Sequence, residues 1–236
     1  MKVPYGLEII ENCSSCNSRK PGFFCDFSPS VLKSLDQVSH RTTMPAGAIL
    51  FVEGQLPRGL YILSSGRVKL STSSRDGKVL ILKTAEAGEP LGLSAAISGQ
   101  AYEMTAETAM PCQLNFVDRK AMLMLLQTHS EVGVRAAQFL SRDFQSAYRD
   151  TRDLVLARSS AGKLARLLLS CSPNQIPAVN EVHLDAMTHE EMAQRIGSSR
   201  ETVTRLLSEL KRKHLIRLDG ATLVIRNRMA LEALVV

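Results

Sequence analysis

Three of the five cysteines, Cys13, Cys16 and Cys25, are packed into the stretch CSSCNSRKPGFFC. Thiols this close can share one soft ligand or close a disulfide. Cys112 and Cys171 lie far away in sequence, so whether either completes a site depends on the fold. A second group with chemistry is RETVTR, residues 200–205. An arginine can donate two hydrogen bonds to guanine O6 and N7, and a glutamate can accept one from cytosine N4. His40, His129, His183, His189 and His214 show no H-E-x-x-H spacing, and there is neither a G-x-G-x-x-G nor a Walker loop. The glycines are spread as turns rather than gathered to cradle phosphate, so the motifs exclude the common enzyme classes.

The element that carries RETVTR is legible at both ends. Thr188-His189-Glu190-Glu191 has the form of a capping box, with Met187 and Met192 at the staple positions around it. A short helix burying Met192, Ala193 and Ile196 ends at Gly197-Ser198, and Ser199 caps a second helix. On that helix Val203, Leu206, Leu207 and Leu210 recur at i, i+3, i+4 and i+7, the spacing of a buried face. Arg200, Glu201, Thr204, Arg205 and Ser208 fall on the opposite face. Helix, tight turn and helix is the helix-turn-helix plan, which offers the N-terminal residues of its second helix to the major groove. IRLDGATLVI, with Asp219-Gly220 at its turn, reads as a two-stranded wing. From residue 158 onward twelve Lys and Arg face eight Asp and Glu, a net +4 of the chain's +6. Lys211, Arg212 and Lys213 are the expected phosphate contacts.

The cysteines need a different scaffold. Between about Thr42 and Phe116, short β-prone runs alternate with single glycines, the pattern of an antiparallel sandwich or barrel. Arg75-Asp76-Gly77-Lys78 is the expected hairpin turn, and no proline interrupts the strand runs. A helical stretch follows from Asp118 to Leu156, broken near Thr128-His129-Ser130, with Ser130 as cap of the longer piece. Ala137, Leu140, Phe144, Ala147, Thr151 and Leu154 alternate by three and four, a heptad seam that fits either a second copy of the helix or its own β domain. Ser159-Ser160-Ala161-Gly162 marks a hinge, and Cys171 reads as a small packed apolar residue.

Hydrophobic residues make up 44% and charged residues 22% of the 236 residues, which is ordinary for a globular chain of two modest domains. No apolar run is long enough to span a membrane. The N-terminal residues lack the apolar core of a secretory signal, so a cytoplasmic location is expected, where clustered thiols more often mean metal or redox chemistry than structural disulfides.

The order of these parts, and above all GSSRETVTRLLSEL, resembles the Crp/Fnr family of bacterial transcription regulators. The resemblance implies an α+β chain with four parts: an N-terminal cysteine arm (1–28), a jelly-roll β-roll of cyclic-nucleotide-binding type (29–117), a dimerisation helix (118–157) and a C-terminal winged helix-turn-helix (158–236). It implies a homodimer on double-stranded DNA, reading palindromic TGTGA- or TTGAT-like sites and working with RNA polymerase. The reading residues would be Arg200, Glu201 and Arg205, with Thr204 tuning the preference, Ser199 at the helix start and Lys211 on the backbone. It also argues against cyclic AMP. Where such members hold ribose and phosphate, this chain has Leu91-Gly92-Leu93 and Tyr102-Glu103-Met104-Thr105, with no arginine for the phosphate, and Ala147-Tyr148 replaces the pair that contacts adenine. Finally, TAMPCQLNF resembles the segment around the fourth cluster ligand of oxygen-sensing members. The resemblance therefore implies a [4Fe-4S] cluster on Cys13, Cys16, Cys25 and Cys112, although the gap between Cys16 and Cys25 is longer than the family's usual one. Zinc or a thiol/disulfide pair in the arm, or an unrelated small effector in the roll, stay open beside it.

Overall fold

A chain whose apolar residues alternate in short runs can bury them only by stacking one sheet on another. The computed structural model describes residues 4–7, 9–10, 12–13, 16, 24–156, 159–171, 182–184, 187–219 and 222–235, with the side chains of 153–156 and 182–184 left aside. It divides into two units, Met1–Thr72 with Leu82–Ser146, and Ala147–Val236 with Ser73–Ile81.

The first unit opens with α1 (Pro29–Val38), which has Pro29 in its first turn and buries Val31, Leu32 and Leu35. The strands β1 (Ser39–Met44), β2 (Ile49–Phe51), β3 (Gly59–Ser65), β4 (Arg67–Ser73), β5 (Val79–Glu86) and β6 (Pro90–Leu91) follow. They lead to α2 (Leu93–Ser98), β7 (Thr105–Thr108) and β8 (Cys112–Asp118). Two four-stranded sheets result, ordered β1-β8-β3-β6 and β2-β7-β4-β5. Pro90 lies within β6, against the expectation of uninterrupted runs. It is tolerated there because β6 is an edge strand, where a missing N–H breaks no ladder. The Asp76-Gly77 turn forms as expected, with Ser74 N–H donating to Lys78 O at 2.9 Å and Gly77 at φ 81°.

Strand alternation sorts side chains into two layers. Phe51, Leu63, Val68, Leu70, Ala85, Leu91, Ala106, Cys112 and Leu114 form a core inside the roll. Leu60, Ile62 and Val117 pack instead on the helix side, with Phe24, Phe27, α1 and the helices after β8. Those helices are α3 (Arg119–Thr128) and α4 (Ser130–Leu156). His129 separates them, so Ser130 is the first residue of α4 rather than a cap ahead of it.

The second unit holds α5 (Ser160–Ser170), β9 (Val182–Leu184), α6 (His189–Ile196), α7 (Arg200–Arg212), β10 (Ile216–Asp219), β11 (Thr222–Ile225) and α8 (Arg228–Glu232). Its core is shared by α5 (Leu164, Leu168), α6 (Met192, Ile196), α7 (Val203, Leu206, Leu207, Leu210) and the wing (Ile216, Leu223, Ile225). The Ser159-Gly162 segment, expected to mark a hinge, starts α5, with Ser159 Oγ accepting from Gly162 N–H at 3.0 Å. Glycine is required at 162 because an added Cβ would lie 2.8 Å from Leu234 O. The wing sheet has three strands, ordered β10-β11-β9, one more than the sequence suggests. Gly220 of its turn lies outside the described residues.

Candidate functional site

The helix pair is built as its capping pattern requires. Thr188 Oγ1 accepts from Glu191 N–H at 3.1 Å. The reciprocal half of the box is replaced, since the Glu191 carboxylate meets Arg195 Nη2 at 3.4 Å. Met187 and Met192 join one cluster, as a staple should. Gly197 takes the left-handed conformation at φ 63° that closes α6. Ser199 Oγ then accepts from Thr202 N–H at 3.2 Å and starts α7.

With Val203, Leu206, Leu207 and Leu210 buried, each stabilising by roughly 1.5–3 kcal/mol, the register of α7 is fixed. Arg200, Glu201, Thr204, Arg205 and Ser208 are exposed on its other side, and Ser199 and Lys211 are exposed at its ends. The Glu201 carboxyl is held below its usual pKa by its own backbone N–H, then by the Ser199 hydroxyl and by Arg200, so it is an ionised acceptor. Arg205 Nη1 lies 3.0 Å from Glu209 Oε1. Thr204 Oγ1 donates to Arg200 O at 2.9 Å and lies 2.8 Å from His189 Nδ1. Sequence reasoning missed this last contact, which joins two helices. Thr204 and His189 both occupy solvent-facing helical positions, but the spacing of 15 residues carries no periodic signal.

On α4, Ala137, Phe144, Ala147 and Thr151 are exposed, Phe144 at 71%, while Leu140 packs partly against the helix-side core of its own unit. The side chain of Leu154 lies outside the described residues. Tyr148, which the seam omitted, is 68% exposed beside them.

The cysteines do not converge as expected. Cys112 faces the inner core with Leu114 and is fully buried. Its Sγ donates toward Met110 O at 3.1 Å and Arg67 O at 3.3 Å. Gly66 is glycine because it packs on that sulfur, which would lie 2.5 Å from an added Cβ. Cys13 sits on the other side of β8. Gln113 and Asn115 point that way, and Gln113 brackets Ile10 with bonds of 2.9 and 2.6 Å while Asn115 Nδ2 donates to Cys13 Sγ at 3.5 Å. Period two on a strand forces this, since residues 112 and 115 cannot share a face. Burial, then Asp36, pushes the Cys13 thiol up to about 12, so it is held protonated. The Cys16 N–H lies 3.4 Å from Cys13 O, and Cys25 lies near enough to raise the Cys13 pKa further. Among the described residues, no group of three His, Cys, Asp or Glu side chains could hold a metal ion. Cys112 thus lies on the opposite face of β8 from Cys13, and the four thiols expected to share a [4Fe-4S] centre are not brought together in this structure. Cys171 packs half-buried against the second core, in line with its apolar reading.

The arm instead straps the roll to α4. Asp26 pairs with Arg135 at 2.8 Å, Ser28 donates from N and Oγ to Glu131 at 3.0 and 2.7 Å, and the Phe24 ring packs edge-on to Phe139. Beside Phe139 lies a narrow cavity where the roll meets α4. About 50 Å³ is open there, lined by Leu91, Gly92, Leu93, Glu103, Met104 and Asp143, among others. Lys83 bridges Glu89 and Asp143 at its edge, and Ser94 holds Glu103 at 2.6 Å.

Two stretches match known domain families: residues 41–129 the cyclic nucleotide-binding domain, and residues 162–234 the Crp-like helix-turn-helix domain. Over 210 residues the chain is 26% identical to the CRP-like cAMP-activated global transcriptional regulator of Mycobacterium tuberculosis, covering 87% of this chain and 92% of that one. A Crp/Fnr-family transcriptional regulator from Thermus thermophilus superposes with a TM-score of 0.66 at 27% identity, over 83% of this chain and 98% of its own. The fold is shared with the c-di-GMP responsive global regulator CLP of Xanthomonas campestris, at a TM-score of 0.74 and 23% identity, over 84% and 99% of the two chains. Among the described residues no helix is long and apolar enough to cross a membrane. With the β-roll, the long helix and the winged helix-turn-helix in this order, the chain belongs to the Crp/Fnr family of DNA-binding transcription regulators, a family of regulators rather than enzymes.

Proposed function

We propose that the protein acts in the cytoplasm as a homodimer on palindromic TGTGA- or TTGAT-like sites, working with RNA polymerase. Arg200, Glu201 and Arg205 read base edges, Thr204 tunes the choice, Ser199 starts the reading helix and Lys211 holds the backbone. The observation that carries this reading is the exposed N-terminal face of α7 above a buried row of Val203, Leu206, Leu207 and Leu210. Two such helices reach successive major grooves only when two copies associate. Phe144, Ala147 and Thr151 supply an exposed, largely apolar strip for that association. Phe144→Glu should give a monomer with at least tenfold weaker binding to a palindrome and unchanged binding to a single half-site. A Phe144→Glu protein that stays dimeric on sedimentation would remove the strip from the interface.

The signal enters by a route other than that of the cAMP-activated relative. A cyclic nucleotide brings a phosphate, and the cavity offers it Glu89, Glu103 and Asp143, with its one nearby lysine already shared by two carboxylates. Control through the thiols of the arm is favoured by its anchorage, because Cys25 sits beside the Asp26–Arg135 pair on α4. Titrating DNA with reduced and oxidised protein tests it: oxidation should change affinity in the parent chain and not in Cys25→Ser.

A further inference from the structure

The contact between His189 and Thr204 decides which part of Thr204 a DNA base can meet. A threonine hydroxyl has one proton to give and two lone pairs to accept with. The Thr204 proton is committed to Arg200 O, 2.9 Å away and four residues back along α7. The imidazole Nδ1 at 2.8 Å therefore cannot be the acceptor; it must carry its own proton and donate to Thr204 Oγ1. The oxygen is held from two sides, by a backbone carbonyl on its own helix and by the first residue of α6. Held this way, the hydroxyl has no donor left for a base, and the γ-methyl is the remaining substituent of an exposed side chain.

We infer that Thr204 is a methyl reader and His189 its positioning residue: the pair selects thymine through its C5-methyl, and does so without a hydrogen bond from the hydroxyl. Apolar contact between a threonine methyl and the thymine methyl is an established mode of major-groove recognition. The fold positions the methyl by an unusual route, since an exposed threonine would otherwise exchange rotamers and present hydroxyl and methyl in turn. This inference deepens the DNA-reading function proposed above and rests on it.

The test separates methyl from hydroxyl on both partners. Each thymine of a selected half-site is replaced in turn by deoxyuridine, which lacks only the methyl, and the parent chain is titrated beside Thr204→Val, Thr204→Ser and His189→Ala. Burying one methyl corresponds to roughly a fourfold change in affinity. At one thymine, the parent and Thr204→Val should lose about that factor on the uridine site, while Thr204→Ser, which keeps the hydroxyl, should not respond. His189→Ala should weaken the thymine-over-uridine preference in the parent and leave it intact in Thr204→Val, where no hydroxyl needs holding. Circular dichroism and thermal unfolding that match the parent in every variant report that the domain is folded. Discrimination that survives in Thr204→Ser, or disappears in Thr204→Val, overturns the methyl assignment. Full discrimination in His189→Ala overturns the role of the imidazole. A parent chain with no preference among sites removes the DNA-reading function itself, a result distinct from either.

Discussion

On α7, the side chains of Arg200, Glu201 and Lys211 end in solvent; where the β-roll meets α4, Lys83 ends between Glu89 and Asp143. The two regions use the same residue types in opposite ways. The reading helix keeps its charges available because its apolar face alone fixes its position, so the other face is not needed for folding. The roll spends its charges internally. Lys83 bridges two carboxylates and lies 5.3 Å from the Phe139 ring centroid, and Asp26 and Glu131 are engaged by Arg135 and Ser28. At this cavity the lysine is already shared by two carboxylates, and that sharing is what argues against an anionic effector in the function proposed above. Family membership thus transmits the scaffold, while the pairing of individual charges decides what the scaffold still binds.

The largest expected effect falls on the open region. Arg205→Ala should cost about 1–3 kcal/mol on the specific site and far less on random DNA, measured by competitive titration at fixed salt. Equal losses on both would make Arg205 a phosphate contact and erode the contrast with Lys211. Next comes the closed region. Cys112→Ala removes a sulfur from the roll's inner core and should lower stability by on the order of 1–2 kcal/mol, read from denaturant unfolding. It should leave the reactivity of the arm thiols unchanged. Loss of an iron-derived visible band in anaerobic Cys112→Ala would instead return this thiol to a ligand set and break the comparison.

A smaller effect follows from Cys13, whose thiol is raised from 9.0 to about 12 by burial and by Asp36. A group with a raised folded-state pKa contributes stability that is complete below its unfolded value and is lost as pH climbs toward the folded one. The anchorage of the arm at Cys13 should therefore hold through pH 9 and weaken between about 9 and 12. Alkylation mapped by mass spectrometry should find Cys13 slower than Cys16 at pH 8, with the gap closing above 9. Equal rates at pH 8 would mean that Cys13 is not packed on β8.

The two regions also differ in how far they can be read from sequence. The helix-turn-helix is encoded locally: Thr188, Gly197, Ser199 and the row from Val203 to Leu210 are each interpretable within a turn or two of helix. The fate of the cysteines depends on contacts such as Asn115 with Cys13, 102 residues apart, and on Lys83 with Asp143, 60 apart. Neither separation has a sequence signature. One signal was present, however. In CQLNFVD the polar Gln113 and Asn115 alternate with Cys112 and Leu114, and period two alone places the thiol with the leucine, away from any ligand on the Asn115 side. The third wing strand β9 and the helix α8 escaped because they are only three and five residues long, too short for periodicity to register.

The smallest effect tests whether the reading face is as open as it looks. Arg205 is the one reader tied to a neighbour by an ion pair among the described contacts of α7, through Glu209 at 3.0 Å on the exposed surface. Contact with guanine through the Nη1 edge would release that carboxylate, whereas contact through Nε and Nη2 would keep it. An exposed i,i+4 pair is worth about 0.3–0.5 kcal/mol, so releasing Arg205 should raise specific affinity only about twofold. Glu209→Gln keeps the length and helix propensity of the side chain while removing its charge. The same substitution also removes a negative charge near the phosphates, which would tighten binding to any sequence. The two causes separate in the Arg205→Ala background, where the twofold gain should vanish if it came from freeing the guanidinium. A gain that persists there would assign Glu209 to general repulsion of the backbone, and Arg205 would then read DNA without first having to give up a partner.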